Sequence, residues 1–336
     1  MELRERVNAF AELGVRIAQL DDRTLQQWAT EANAVNKWFT VNLVRESVRN
    51  IAAMLDPDKL RQWLSRYEWE AKASKRVGLV LAGNIPMVGI HDIICVLVSG
   101  HIAEIKLSTQ DSVLIPKVLD ILIQIEGRFT KQIHFTQKLT GADAFIATGS
   151  GNTSRYFDYY FSHKPNIIRK NRTSVAVLNG FEEKQDIARL GEDIFMYFGL
   201  GCRNVSKIYI PDGYTPSGIY EALESFSYVV DHNKYANNYE YTRAIYLLKS
   251  IPCFDNGFLL LKEDEALSSP ISVLYYEYYH SEEELRNKLE QQNEKIQIVT
   301  SSTGWWNGSK PFGEAQQPEL WDYADNFDTM RFLISL

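Results

Sequence analysis

Cys202 is the residue whose surroundings best suit covalent chemistry. It follows Gly199 and Gly201 in the segment FGLGCRN, residues 198–204. Glycines allow a sharp backbone turn and leave room beside the sulfur, and Arg203 could stabilise the thiolate, which is the reactive form of cysteine. Because a single cysteine is more often a small buried apolar residue, the segment alone leaves both interpretations open.

The chain has two other cysteines. Cys95 lies inside an apolar run, which favours a core position, and Cys253 has no neighbouring glycine. The three cysteines form no CxxC pair, and neither they nor the histidines have the spacing of a metal site. We therefore expect no metal, and reduced cysteines in a cytoplasmic protein.

Asn84 occupies a turn, GNIP at residues 83–86, directly after a short apolar run. A carboxamide at the end of a strand points toward the crevice where ligands bind in an α/β sheet. There it can donate a hydrogen bond to a developing oxyanion. Asparagine is also an ordinary turn residue, so the position alone does not decide.

Lys106 and the turn at Gly149 and Ser150 follow two further apolar runs. A lysine at the carboxyl end of a strand can reach a ribose or a phosphate, although a charge on an edge strand is an equal alternative. The turn GSGNTS, residues 149–154, precedes a predicted helix whose first amides could bind a diphosphate. It matches neither GxGxxG nor a P-loop, so its signal is weak.

The elements around these residues alternate between short apolar runs and helical segments. Strands are predicted at residues 77–82, 102–107, 144–148, 174–178 and 207–211, and helices at 88–99, 113–124, 186–198 and 281–291. Residues 1–70 have helical periodicity, and Asp56 with Pro57 predicts a helix start. This alternation indicates a parallel, doubly wound α/β sheet.

Composition excludes several classes. A length of 336 residues is enough for about two domains. The net charge of −7 argues against a nucleic-acid partner. No apolar run reaches the roughly 18 residues that span a membrane, and the N-terminal segment has no apolar signal-peptide core.

The order of these features resembles the aldehyde dehydrogenase superfamily, and within it most closely the LuxC-type acyl-CoA reductases, the fatty acid reductase family. The resemblance covers residues 76–336. It rests on the segments LAGNIPMVG (81–89), AEIKLSTQD (103–111), FIATGSGNT (145–153), FGLGCRNVSKIYIP (198–211) and PFGEAQQPELWDYADNFDTMRFL (311–333).

The resemblance implies a role for each matching residue. Cys202 matches the nucleophile and Asn84 the oxyanion-hole asparagine. Lys106 matches the lysine that contacts the adenosine ribose, and Gly149 with Ser150 matches the diphosphate-binding turn. A glutamate that contacts the nicotinamide ribose corresponds, in a loose alignment, to Glu265.

Two departures from the superfamily pattern bear on function. The acidic residue that often binds the ribose 2′-hydroxyl is replaced by Thr109, which does not repel a 2′-phosphate, and Lys106 and Ser108 could bind one. We therefore expect NADPH, with NADH as the alternative. The general-base glutamate is replaced by Ile168, and no Asp or Glu lies between Asp158 and Glu182.

Together these features predict an α/β, aldehyde-dehydrogenase-like fold with a Rossmann-type cofactor domain and an α/β catalytic domain. We expect helices and a cofactor domain in residues 1–180, a catalytic domain in 181–300, and a segment at 301–336 that packs back on the cleft or on a partner subunit. The expected reaction is reduction of acyl-CoA or an acyl-protein thioester to an aldehyde through acyl-Cys202.

Two alternatives stay open at this stage. The first is an aldehyde dehydrogenase or acyl-phosphate reductase of the same fold. The second is an acyl-carrier subunit of a multi-enzyme complex, loaded by an acyl-protein synthetase. We expect a homo-oligomer involved in fatty acid metabolism, and binding of a nicotinamide cofactor by the chain alone separates the second alternative from the others.

Overall fold

The computed structural model describes residues 1–70, 72–149, 157 and 159–336. The chain divides into two compact units. The first consists of Met1–Asn171 and Pro318–Leu336, and the second of Arg172–Gln317. Each is an α/β unit with its own sheet.

The first unit begins with four helices that cover one another's apolar faces. The predicted start at Asp56 is confirmed, since its carboxylate accepts hydrogen bonds from the amides of Asp58 and Lys59 at 2.8 and 3.1 Å. The helices of this unit are α1 (Leu3–Ala18), α2 (Asp22–Val35), α3 (Val41–Met54), α4 (Pro57–Leu64), α5 (Ile90–Val98), α6 (Leu114–Ile125) and, from the C-terminal segment, α11 (Thr329–Ser335).

The sheet of the first unit is parallel throughout its described strands, in the order β3-β2-β1-β4-β5. Its strands are β1 (Arg76–Val80), β2 (Ile102–Lys106), β3 (Ile133–Phe135), β4 (Ala144–Thr148) and β5 (Asn166–Arg169). Strands β1, β2 and β4 are almost wholly buried, as expected for parallel strands covered by helices. The apolar runs therefore predicted these strands to within two residues.

The last part of the C-terminal segment, Pro318–Leu336, packs in the first unit, whereas residues 301–317 belong to the second unit. Trp63 Nε1 donates to the Tyr323 hydroxyl at 2.6 Å, and an imidazole nitrogen of His101 lies 2.9 Å from the Leu333 carbonyl oxygen. Both pairs are buried. Residues Pro318–Leu336 thus share the core of the first unit. The boundaries of the functional domains proposed from the sequence stay a prediction.

The second unit has a mixed sheet in the order β12-β11-β6-β7-β10-β9-β8, in which the β8–β9 pair is antiparallel. The strands are β6 (Thr173–Val177), β7 (Val205–Pro211), β8 (Phe254–Asp255), β9 (Leu260–Glu263), β10 (Val273–Tyr279), β11 (Ile296–Ser301) and β12 (Lys310–Pro311). The helices are α7 (Lys184–Phe195), α8 (Gly218–Leu223), α9 (Asn233–Leu248) and α10 (Glu282–Gln291). Every residue of β6 is buried, which explains its apolar sequence.

Across the described ranges, no helix is long and apolar enough to cross a membrane.

Candidate functional site

Three of the predicted site residues meet at one edge of the first sheet. Lys106 ends β2, Asn84 lies in the turn after β1, and Gly149 follows β4. These strands are parallel neighbours in the order β2-β1-β4, so their carboxyl ends share one edge. This is the edge where open α/β sheets bind ligands. Ser150 lies outside the described residues.

The turn that carries Asn84, residues 83–87, is held at both ends. The Gly83 carbonyl accepts a hydrogen bond from Asn36 Nδ2 at 3.3 Å, and the Met87 amide donates to Asp111 Oδ2 at 2.6 Å. Met87 has φ of +57°, in the left-handed region that side chains rarely adopt. A strained residue of this kind persists only where its surroundings fix it.

Asp111 is a residue that sequence reasoning missed. Its side chain is buried, and burial raises its pKa to about 7, against the opposing effect of hydrogen bonds from the amides of Met87 and Leu114. The residue was part of the motif at 103–111 but looked like an ordinary loop aspartate. Its partner amide lies 24 positions earlier in the chain, and no local pattern reveals such a pairing.

The loop after β2 packs against the Asn84 turn. A Cβ atom placed on Gly83 would come within 2.5 Å of Ser108 Oγ, so only glycine fits there. Ser108 is half-buried and accepts a hydrogen bond from the Gln110 amide at 3.2 Å, while Lys106 and Thr109 are exposed. The loop thus presents an ammonium group and a hydroxyl to solvent at the ligand edge, with no carboxylate at position 109.

Cys202 lies in the second unit, in the loop between α7 and β7. The loop begins with three consecutive left-handed residues, Tyr197, Phe198 and Gly199, at φ of 52°, 55° and 77°. Glycine adopts this backbone freely, but the two aromatic residues each cost roughly 1 kcal/mol or more. The cysteine is half-buried. Strain of this kind concentrates at functional sites, which favours the covalent interpretation of Cys202.

Two polar side chains that sequence reasoning missed fasten this loop. Asn204 is buried and its side chain bonds to backbone groups that precede the cysteine, and Ser174 on β6 donates to the Cys202 carbonyl at 2.9 Å. An asparagine two residues after a cysteine is unremarkable in a sequence. The imidazole of His232 lies against Phe198, with ring centroids 4.4 Å apart, and thus contacts this loop.

The other two cysteines are less suited to react. Cys95 is wholly buried on α5, where burial raises its pKa well above the usual value. Burial and the nearby Asp255 also raise the pKa of Cys253. Both thiols therefore hold less thiolate than an ordinary cysteine at neutral pH.

Glu265, the loosely aligned ribose contact, follows β9 and its side chain is exposed. Its backbone carbonyl accepts a hydrogen bond from Lys207 Nζ at 2.8 Å. Lys207 is fully buried on β7 and forms an ion pair with Glu277 of β10. The strand that follows Cys202 therefore anchors the Glu265 segment directly.

Strand β5 carries Ile168, the residue that the resemblance aligns with a general-base glutamate. Ile168 is half-buried, and the next residue, Arg169, is a buried arginine that pairs with Asp92 of α5 and donates to Thr329 Oγ1 of α11 at 2.8 Å. Burial alone would lower the pKa of Arg169, but the negative charges of Asp92 and, more weakly, Asp325 outweigh that effect and raise the pKa above its usual value. Arg169 is thus a structural cation that ties α11 to the sheet.

No group of three or more His, Cys, Asp or Glu side chains among the described residues is placed to hold a metal ion. No protein-family model and no curated protein sequence matches the chain.

The fold is that of solved aldehyde dehydrogenase structures. The chain is similar to aldehyde dehydrogenase 21 from Physcomitrella patens, with a TM-score of 0.67 and 12% identity over 90% of this chain and 73% of that one. It is also similar to an aldehyde dehydrogenase from Mycobacterium tuberculosis complexed with NAD+, with a TM-score of 0.64 and 15% identity over 90% and 73% of the two chains.

A third similar structure is NADP-dependent glyceraldehyde-3-phosphate dehydrogenase from Bacillus halodurans C-125 complexed with NADP. Its TM-score is 0.62 and its identity 11%, over 90% of this chain and 74% of that one. The predicted aldehyde-dehydrogenase-like α/β fold is therefore confirmed.

Proposed function

We propose that the protein reduces an acyl thioester, either acyl-CoA or an acyl-protein, to an aldehyde through an acyl-Cys202 intermediate, as LuxC-type acyl-CoA reductases do. The observation that carries this proposal is the lack of a carboxylate on strand β5. In an aldehyde dehydrogenase fold this strand is expected to supply the carboxylate that activates water. Here its residues are Ile168 and an arginine already paired with Asp92.

Cys202 acts as the nucleophile. Its thiolate attacks the thioester carbonyl, the carbonyl electrons move to oxygen, and their return expels the donor thiolate and leaves a new thioester on the enzyme. The Asn84 side chain and the Cys202 amide stabilise the oxyanion by donating hydrogen bonds, and Arg203 stabilises the thiolate. After reduction at the same carbon, the Cys202 thiolate leaves and the aldehyde is released.

The residues at the ligand edge of the first sheet fit a nicotinamide dinucleotide. Lys106, Ser108 and Thr109 offer an ammonium group and two hydroxyls to a ribose phosphate, and the turn at Gly149 and Ser150 takes the diphosphate. Glu265 contacts the nicotinamide ribose. When bound, the reduced cofactor supplies the hydride. These donors favour NADPH, and NADH is the alternative that a titration decides.

The absence of a base on β5 gives the acyl-cysteine a long lifetime. Hydrolysis of an acyl-enzyme requires a positioned group that takes a proton from water, which typically contributes 10²–10⁴-fold. Without it, the thioester persists until reduction or a thiol removes it. This behaviour suits a reductase, in which hydrolysis would waste the activated acyl group.

Reduced thiols at Cys95, Cys202 and Cys253 fit a cytoplasmic enzyme. An acyl-protein synthetase is a candidate donor of the acyl group, and assembly as a homo-oligomer stays a prediction that sedimentation can test.

The decisive experiment labels the intermediate. Incubation with radiolabelled long-chain acyl-CoA in the absence of cofactor is expected to give a labelled protein that hydroxylamine cleaves, and NADPH is expected to release the label as aldehyde. Cys202→Ala should show no label, whereas Cys253→Ala, the matched control on the other half-buried cysteine, should label normally. Equal labelling of Cys202→Ala would refute the assignment. Labelling without any nicotinamide binding would identify an acyl carrier instead.

A further inference from the structure

Asn204 joins the two ends of the Cys202 loop. Its Nδ2 lies 3.0, 3.3 and 2.7 Å from the carbonyl oxygens of Asp193, Ile194 and Met196, at and just beyond the C-terminal end of α7. Its Oδ1 accepts the Gly201 amide at 2.8 Å. The last carbonyls of a helix lack partners within the helix, so one amide side chain both caps α7 and holds the residue before the cysteine.

Backbone hydrogen bonds complete the same arrangement. The Asn204 amide donates to the Gly201 carbonyl at 3.1 Å, which closes a tight turn with Cys202 inside it. The Asn204 carbonyl in turn accepts from the Ser174 amide at 3.2 Å, where the β6–β7 pairing begins. The turn is thus fixed to the sheet at its last residue.

Ser174 adds a direct contact to the cysteine. Its side chain is fully buried, and Oγ donates to the Cys202 carbonyl at 2.9 Å. This contact fixes the peptide plane that follows Cys202, while Asn204 fixes the Gly201 amide just before it. A buried neutral amide and a buried hydroxyl therefore set the orientation of the backbone on both sides of the sulfur.

We infer that Asn204 and Ser174 are positioning residues for the Cys202 thiol, holding a strained loop in the one geometry from which the sulfur can attack a thioester. The inference rests on the proposed function, because it takes Cys202 as the nucleophile. The strained backbone at Tyr197 and Phe198 favours relaxation of the loop. The side chains of Asn204 and Ser174 oppose that relaxation. Small misplacement of a nucleophile can slow its reaction about 10²-fold.

The test compares Asn204→Ala, Ser174→Ala and the matched control Ser301→Ala. Ser301 is equally buried, on β11 beside β6, but its hydroxyl pairs with Ser309 and accepts the Trp306 amide, away from the cysteine. At saturating acyl-CoA we expect the first-order acylation rate to fall roughly 10–100-fold in Asn204→Ala and about tenfold in Ser174→Ala. Ser301→Ala should stay within about twofold, and cofactor affinity should be unchanged in all three.

Asn204→Asp supplies a readout that a purely structural role would not move. The carboxylate keeps an acceptor for Gly201 but faces the carbonyls at the end of α7. Its acylation rate, relative to Asn204→Ala at the same pH, should rise as pH falls, because protonation restores one donor. A constant ratio from pH 8 to pH 5.5 would count against the inference.

Alkylation of Cys202 by iodoacetamide, followed by mass spectrometry, separates this inference from the proposed function. It requires no thioester chemistry, so the rates should rank wild type above Ser174→Ala above Asn204→Ala even if wild type accepts no acyl group. Wild-type alkylation and acylation rates in both variants would overturn the inference. If Asn204→Ala does not fold, Ser174→Ala, which loses a single hydrogen bond, decides.

Discussion

The Asn84 turn and the Cys202 loop both contain strained backbone, and a different type of polar side chain holds each of them in place. Each contains left-handed non-glycine backbone, at Met87 in one and at Tyr197 and Phe198 in the other. The first is held by the carboxylate of Asp111, whose pKa burial raises to about 7, and the second by the neutral amide of Asn204.

This difference has a consequence for pH dependence. A carboxylate binds an amide more strongly than its protonated form does, whereas an asparagine side chain does not titrate. The hydrogen bonds that Asn204 makes to the Cys202 loop should therefore not titrate between pH 6 and 8, whereas the nearby Asp193 carboxyl at the end of α7, whose pKa burial raises to about 7, does titrate there. The geometry of the Asn84 turn should change with the charge on Asp111.

The largest effect is expected on the Asn84 side. Asn84→Ala should slow acylation roughly 10²–10³-fold, the usual effect of removing one oxyanion donor. The measurement is single-turnover labelling at saturating acyl-CoA. Asn33→Ala is the matched control, because that amide bonds to the carbonyls of residues 37 and 39 in the helical region. An unchanged rate in folded Asn84→Ala would reduce Asn84 to a turn residue and remove one half of the comparison.

The second prediction concerns the base for hydrolysis, which β5 does not carry. With a long-chain aldehyde and oxidised cofactor, turnover should depend on added coenzyme A. In the absence of coenzyme A, free acid should be released about 10²-fold more slowly than the rate of that thiol-dependent turnover. Ile168→Glu, which restores a carboxylate on β5, is expected to increase acid release. Fast acid formation by wild type would contradict the prediction, and its loss in His232→Gln would assign the base to the histidine that contacts Phe198.

The sequence was sufficient for much of the fold because buried parallel strands are continuous apolar runs. Strand β4 was predicted residue for residue, and the helix start at Asp56 followed from a local capping pattern. Strands such as β3 (Ile133–Phe135) and β8 (Phe254–Asp255) were missed because two or three residues are too few to show a period.

The site was predictable only in part. Cys202 and Asn84 were chosen as candidates because glycines and a proline mark their turns. Asp111 and Asn204 were not, because each acts on backbone groups up to 24 and 11 residues away, and the chain reaches those groups only after it has folded. Residues that hold a site from a distance in sequence look like ordinary loop residues.

The third prediction tests the loop that packs on the Asn84 turn. Thr109→Glu should weaken NADPH binding about tenfold and leave NADH binding unchanged or tighter, since a carboxylate there repels a 2′-phosphate and accepts from a 2′-hydroxyl. Fluorescence quenching measures both affinities. Gln110→Glu adds the same charge to the next exposed residue and should have a smaller effect on both. Tighter binding of NADH than NADPH by wild type would contradict the assignment of residues 106–109.

The smallest effect is expected at Asp111, the carboxylate that holds the Asn84 turn. Asp111→Asn removes the titrating group from the Asn84 turn but keeps an oxygen that can accept the Met87 amide. At pH 8 the wild-type carboxylate is charged and binds that amide more strongly, by about 1 kcal/mol, so the variant should acylate roughly fivefold more slowly. At pH 6 Asp111 is largely protonated, given its pKa of about 7, and the two proteins should differ by less than about twofold.

The ratio of wild-type to variant rates should therefore fall as pH decreases. Because both proteins share the Cys202 thiol, its titration cancels in this ratio. Asn204→Asp should show the reverse, improving relative to Asn204→Ala as pH decreases. A wild-type to Asp111→Asn ratio that is constant from pH 6 to 8 would mean that the charge on Asp111 does not hold the turn, and the two regions would then differ in sequence but not in how they are fixed.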